Sequence, residues 1–202
     1  MKKSLLAILI IIIILIFDQS LKIWVKTNMY LGQTIPVIDN WFFLRFVENP
    51  GMALGISLPG SAGKIILTIL RIIAAIIIAI YLRSLIRKNS SVGLIVSLSL
   101  ILAGAIGNII DSIFYGIIFS ESTYFTPAVM FPEGGGYAPL LRGHVVDMLY
   151  FPIIKGNYPQ WFPFYGGQSF IFFRPIFNIA DSAITVGVIL IFIFQKKFFK
   201  KT

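Results

Sequence analysis

The sequence predicts a mainly α-helical membrane protein with four transmembrane helices, both termini on the cytoplasmic side and two segments outside the membrane. Three observations carry that expectation. Of the 202 residues, 57% are hydrophobic and only 12% charged, with a mean hydropathy of +0.90, whereas soluble domains carry about 25% charged residues. Four apolar stretches are each long enough to cross roughly 30 Å of hydrocarbon at about 1.5 Å per residue. The residues that make the net charge +9 gather at one set of helix ends.

The first apolar run, Leu5 to Phe17, continues through Asp18 to Val25 and sets the first helix near residues 4–25. Its Met1-Lys2-Lys3 start is that of a signal peptide, but no small-residue cleavage site follows, so the helix is expected to be retained. The outer segment 26–63 contains Trp41-Phe-Phe-Leu-Arg-Phe-Val-Glu-Asn49 behind the turn signal Asp39-Asn40, which predicts a short strand at the interface. The second helix falls near 64–82, and the loop from Arg83 to Ser91 is too short to carry a site. The third, near 92–110, holds Ala103-Gly104-Ala-Ile-Gly107, small residues for which close helix packing alone is a sufficient reason. The outer segment 113–177 has seven of the ten prolines and the run Gly134-Gly-Gly136, yet is too rich in Phe, Tyr and Trp for a solvated linker. It is expected to dock on the bilayer surface. The fourth helix falls near 179–194, and with no internal repeat or domain break, residues 1–202 are expected to form one membrane-embedded domain.

Lys2, Lys3, Arg83, Arg87, Lys88, Lys196, Lys197, Lys200 and Lys201 flank helix ends on one face with no acidic residue among them, which makes that face cytoplasmic. These nine account for the net charge, since the other eight Lys/Arg are balanced by eight Asp/Glu. The basicity therefore reports orientation and not nucleic-acid binding. Trp24, Trp41 and Trp161 fall at or beyond the opposite helix ends, where amphipathic rings prefer the headgroup layer. The absence of cysteine excludes disulfides, thiolate nucleophiles and sulfur metal ligands.

An ionisable group near the hydrocarbon boundary is costly unless paired, protonated or facing water, so Asp18, Asp111, Asp147 and Asp181 each need a reason. For Asp181 in Phe177-Asn-Ile-Ala-Asp181-Ser182, helix capping is as good a reason as chemistry. Asp147 follows a loop and precedes an aromatic, proline-bounded stretch, so a functional role is favoured there. Two carboxylates a few Å apart in a low-dielectric site cannot both ionise easily, and one then holds a proton while the other acts as a base toward water. His144, without a cluster at ligand spacing, reads as a loop histidine and not a metal ligand. A serine–lysine dyad from Ser20 with Lys22, or from Ser182, lacks a shared helical face. A proton- or cation-conducting transporter and a non-catalytic scaffold are the competing classes. The almost purely apolar cytoplasmic halves of the helices, with acids collected at the outer end, suit a one-sided hydrolytic pocket better.

Five ordered motifs resemble those of the lipoprotein signal peptidase family, also called signal peptidase II, over nearly the whole chain. They are Asp18-Gln-Ser-Leu-Lys22, Asn49-Pro-Gly51-Met-Ala-Leu-Gly55, Gly104-Ala-Ile-Gly-Asn108-Ile-Ile-Asp111, Val145-Val-Asp147 and Phe177-Asn178-Ile-Ala180-Asp181-Ser182. The resemblance implies that Asp147 and Asp181 are the catalytic pair, with Asn108, Asp111 and Asn178 around them, and with Asp18, Lys22, Asn49, Gly51 and Ala180 supporting the site or substrate. It implies a small extracytoplasmic β-cradle and an outer loop that shields the site. The implied substrates are diacylglyceryl-modified prolipoproteins, cut on the amino side of the lipidated cysteine at the outer face of the bacterial inner membrane. No metal or cofactor is implied, membrane lipids are the other partners, a monomer is the default state, and the cyclic peptide globomycin is the implied inhibitor. This chain departs from the family pattern in two places. Ser112 stands where the pattern has arginine, and the insertion between Asp111 and Asp147 is long. Arg142 or Arg174, each close in sequence to a catalytic aspartate, is expected to supply the missing charge.

Overall fold

The computed structural model describes residues 2–38, 41–50, 60–172 and 174–198. The expected turn at Asp39-Asn40 and the site residue Gly51 lie outside the described residues. Four helices are long and apolar enough to cross a membrane: α1 (Lys3–Asn28), α2 (Gly60–Arg87), α3 (Val92–Ile110) and, as the last of them, α5 (Ile179–Phe198). α3 runs on through one π-turn, Asp111–Tyr115, into a single α-turn, α4 (Gly116–Ile118). Each of α1, α2 and α5 extends past the end that its apolar run suggested. A helix stops where its backbone loses partners, not where charge appears, and Lys22 and Lys26 of α1 are fully buried against acidic partners.

α3 is the most buried of the four and packs against α1, α2 and α5. Its small residues set those distances. A Cβ on Gly104 would lie 2.2 Å from the Ala180 carbonyl oxygen of α5. A Cβ on Gly107 would lie 2.8 Å from Asp18 Oδ2 of α1 and 3.1 Å from the Ala180 Cβ. The packing role read for these glycines brings both elements to the C-terminal end of α3. α2 is the peripheral member, and its Ile69, Ile73, Ile76 and Ile80 are exposed, as suits a lipid-facing surface. At the opposite end of the bundle, Lys3 Nζ donates to Asn89 Oδ1 at 2.6 Å and to the Ser90 carbonyl at 2.6 Å, which pins α1 to the α2–α3 turn.

A four-stranded antiparallel sheet in the order β1-β2-β3-β6 covers the site end of the helices. β1 is Thr34–Ile38, β2 Phe42–Asn49, β3 Val145–Tyr150 and β6 Ile176–Phe177, while β4 (Ile154–Asn157) and β5 (Ser169–Phe172) form a separate hairpin. β2 is the strand that its aromatic run announced. A register shift between Leu44 and Val47 marks a bulge against β3, after which Val47 faces Asp147 and Asn49 faces Val145. Asn49 and Asp147 are thus diagonal neighbours on one face of the sheet.

The long insertion is ordered against the site end. The wide π-turn frees carbonyls that a regular helix would use, and the Ser112 and Ile113 oxygens accept from the Gly143 and Leu141 amides at 2.9 and 3.2 Å. Phe119 bridges to Met130. Phe119 and Ala128 join Val25, Met29, Phe46, Tyr115, Val146 and Met148 in an apolar core outside the bundle, separate from the interhelical core around Ile95, Leu98 and Leu102.

Candidate active site

Asp147 comes from β3 and Asp181 from the first turn of α5, and Asn178 ties them together. Its Nδ2 donates to Asp147 Oδ1 at 2.7 Å and to Asn108 Oδ1 at 3.1 Å, while its own Oδ1 accepts the Asp181 amide at 2.8 Å. The Asn178 amide in turn donates to Asp181 Oδ2 at 3.4 Å. Asn178 and Asp181 therefore form a reciprocal capping box at the start of α5. The capping reading of Asp181 holds in the geometry, and it leaves Oδ1 free to accept from Asn108 Nδ2 at 2.7 Å. The positive end of the α5 macrodipole lies at the same place and favours negative charge there. The second oxygen of Asp147 accepts from Asn49 Nδ2 at 3.3 Å.

A buried ionic layer lies beneath the pair. Lys22 Nζ sits 2.9 Å from Asp18 Oδ2, 2.8 Å from Asp111 Oδ2 and 2.9 Å from Asn108 Oδ1. Asp18 Oδ1 accepts the Ala180 amide at 2.8 Å, and Asp111 Oδ2 accepts the Val146 amide at 3.2 Å. These two carboxylates thus anchor the backbone beside each member of the pair, one residue before Asp181 and one before Asp147. Gln19 bridges them, donating to Asp18 Oδ2 at 3.1 Å and Asp111 Oδ1 at 3.0 Å, and accepts from the Tyr115 hydroxyl at 3.1 Å.

Asp147 is nearly fully buried. Burial, and after it the charge of Asp181, pushes its carboxyl up to about 7, against the opposing pull of Asn49, Lys22 and Asn178. Each aspartate also opens on its own groove. Asp181 lines an apolar one of about 450 Å³ with Pro175, Phe177, Ser182, Thr185 and Val186. Asp147 lines a more polar one of about 300 Å³ with Val47, Glu48, Asn49, Pro50, Arg174 and Ile176. Among the described residues, no group of His, Asp and Glu side chains is arranged to hold a metal ion.

The structure brings together Asp18, Lys22, Asn49, Asn108, Asp111, Asp147, Asn178, Ala180 and Asp181. Arg174 is exposed on the rim of the Asp147 groove, and Arg142 is half-buried in the turn before β3. Lys22 is committed to aspartates, and the Ser182 hydroxyl donates to the Asn178 carbonyl at 2.9 Å, which leaves no serine–lysine pair in this arrangement. His144 is more than a loop residue, since its Nδ1 lies 2.9 Å from Glu48 Oε2. Two contributors escaped the sequence reading. Gln19 lies inside the Asp18–Lys22 motif. Arg71 of α2 donates from Nη1 to Ser112 Oγ at 3.3 Å. An arginine inside an isoleucine-rich helix was the available signal for the second.

A model of the signal peptidase (SPase) II family matches residues 10–197. A protein of Porphyromonas gingivalis named lipoprotein signal peptidase is 51% identical over 185 residues, covering 91% of this chain and 80% of its own length. One of the same name from Amoebophilus asiaticus is 43% identical, covering 90% and 74%. A bacterial membrane enzyme solved by the in meso method superposes with a TM-score of 0.62 at 30% identity, covering 96% of this chain and 91% of its own. A second such structure gives 0.59 at 31% identity, covering 97% and 94%.

Proposed function

The chain belongs to the signal peptidase II family, and from that premise we propose that it is an intramembrane aspartyl endopeptidase that uses Asp147 and Asp181. It is a bacterial membrane protease of lipoprotein processing. In this reading it removes signal peptides from diacylglyceryl-modified prolipoproteins and cuts on the amino side of the lipidated cysteine. The observation that carries the reading is the Asn178 bridge, which holds a carboxylate from a strand and one from a helix in a single register.

Asp147 holds the shared proton at neutral pH, consistent with its carboxyl being pushed up to about 7. Water between the two gives a proton to Asp181 as its oxygen adds to the scissile carbonyl carbon, and the carbonyl oxygen takes the proton of Asp147. The tetrahedral diol then collapses. The C–N bond breaks, the leaving nitrogen takes the proton from Asp181, and a hydroxyl proton returns to Asp147. The products are the signal peptide acid and the free amine of the lipidated cysteine, with no covalent intermediate. The apolar groove beside Asp181 receives the hydrocarbon parts of the substrate, and the more polar groove beside Asp147 and Asn49 receives the chain on the mature side. Holding the substrate in the bilayer supplies much of its orientation.

The charge asymmetry supports a site at the outer face of the inner membrane, with both termini inside. The protein acts as a monomer, and globomycin competes for the same grooves. Cleavage of a diacylglyceryl-modified prolipoprotein by purified wild type, Asp147→Asn and Asp181→Asn, with folding checked by melting in detergent, tests the reading. Loss of cutting in both folded variants supports the dyad. Activity surviving in either removes that residue from it, and an inactive wild type reopens the transporter and scaffold classes.

A further inference from the structure

α2 faces lipid along most of its length, yet it carries Lys64 and Arg71 seven residues apart and so on one helical face. Between them Thr68 is buried, and its hydroxyl lies 3.3 Å from the Leu141 carbonyl of the insertion. Arg71 is the one that reaches the site. Its Nη1 donates to Ser112 Oγ at 3.3 Å, Ser112 Oγ donates to the Asn108 carbonyl at 2.8 Å, and Asn108 Nδ2 donates to Asp181 Oδ1 at 2.7 Å. The acids on the Ser112–Asn108 side of the guanidinium are Asp181, Asp147 and Asp111. Among the described residues Arg71 has no ion-pair partner within contact distance. Lys22, a fully buried cation nearby, already contacts both Asp18 and Asp111, and Lys26 is paired with Glu48. The countercharge that keeps an arginine at this depth is therefore the aspartate pair itself.

We propose that Arg71 is a positioning residue for this reaction: seated on Ser112, its guanidinium stabilises the single negative charge carried by the Asp147–Asp181 pair. The inference rests on the aspartyl reading above. It makes α2 part of the reaction although no reacting atom lies on it, and it gives the Ser112 hydroxyl a purpose. It also makes the charge movable. An arginine at position 112 would bring its own guanidinium to the space Arg71 now fills.

The test uses purified wild type, Arg71→Ala, Arg71→Lys and the double variant Arg71→Ala/Ser112→Arg. Each is assayed on a diacylglyceryl-modified prolipoprotein across a pH series and melted in detergent. Arg71→Ala is expected to lose about 100-fold in kcat/KM with its melt little changed. Both limbs of its residual pH–rate profile should move to higher pH, because without the cation the pair gives up its protons less readily. Arg71→Lys should recover part of the loss, and so should the double variant. Near-wild-type activity of Arg71→Ala overturns the inference. So does a slow Arg71→Ala whose pH profile is unmoved and which neither Arg71→Lys nor the relocated arginine improves. Should the double variant not fold, the lysine rescue and the pH profile decide. An inactive wild type overturns the aspartyl reading, whereas an active wild type with an equally active Arg71→Ala overturns this inference alone.

Discussion

Lys22 and Lys26 stand one turn apart on α1, both without exposed surface, and they hold different parts of the molecule. Lys22 is shared among Asp18, Asp111 and Asn108, groups that anchor the backbone beside the aspartate pair. Lys26 binds Glu48 and, at 2.9 Å, Ser122 Oγ, beneath the rings of Phe119 and Tyr137 at 5.5 and 4.8 Å. Ser122, Phe119 and Tyr137 all belong to the long insertion. One cation thus lies beneath the proposed pair and its neighbour fastens the insertion to β2. Burial and ion pairing alone do not tell the two roles apart; the partners do.

Substitutions separate the two lysines and the aspartates they flank. The largest effect belongs to the pair itself, where Asp147→Asn and Asp181→Asn should each lose roughly 10³-fold or more in turnover with the fold retained. Lys22→Met comes next. It strands two buried carboxylates, so it should lower stability by about 3–5 kcal/mol and abolish cutting even where the protein folds. Lys26→Met should destabilise by a similar amount, about 3 kcal/mol, but leave the turnover of the folded fraction close to wild type. Its signature should be faster proteolysis within residues 116–144, read by limited digestion and mass spectrometry. If folded Lys26→Met is as inactive as Lys22→Met, the division of labour between the two lysines is wrong. His144→Ala should matter least. It removes one partially exposed partner of Glu48, for about 1 kcal/mol or less in the melt.

Acidity sharpens the same contrast, because the two regions respond in opposite senses. The Asp147 carboxyl is raised from 3.8 to about 7, first by burial and then by Asp181, with Asn49, Lys22 and Asn178 opposing. Its contribution to stability is complete below its ordinary value and is lost as pH rises through about 7. The rate should fall over the same window as the shared proton leaves. Glu48 is depressed from 4.5 to about 2, as the His144 hydrogen bond and the Lys26 charge and hydrogen bond, with Ser122 contributing, outweigh its burial. Its contribution is present above the ordinary value and is lost as pH falls through about 2. Melting followed across pH in wild type and Glu48→Gln should therefore separate an alkaline loss that both proteins share from an acid loss only wild type shows.

The four helices and β2 were legible because hydropathy and strand patterning are local signals. Two site features were not. β3 hides in Val145–Tyr150 because both of its faces are largely covered, so no alternation marks it as a strand. Arg71 looked like one of eight cations balanced by eight acids, and only the packing of α2 on α3 brings it to Ser112, 41 residues away in sequence. Helix ends were misplaced for a related reason. Lys26 looks like a membrane boundary until its acidic partner Glu48, which lies on a distant element, is known. At Asp181 the geometry meets the capping reading with one oxygen, which accepts from the Asn178 amide, and leaves the other to Asn108.

That double duty at the start of α5 bears on when the protein becomes active. α5 follows every other described element in chain order, and its first turn supplies Asn178, Ala180 and Asp181 together. Asp147 gains its companion only when that turn has formed and docked on Gly104 and Asp18. On the proposed aspartyl reading, a chain still being made carries every other part of the site but lacks its second carboxylate, so no cutting is expected before α5 has docked.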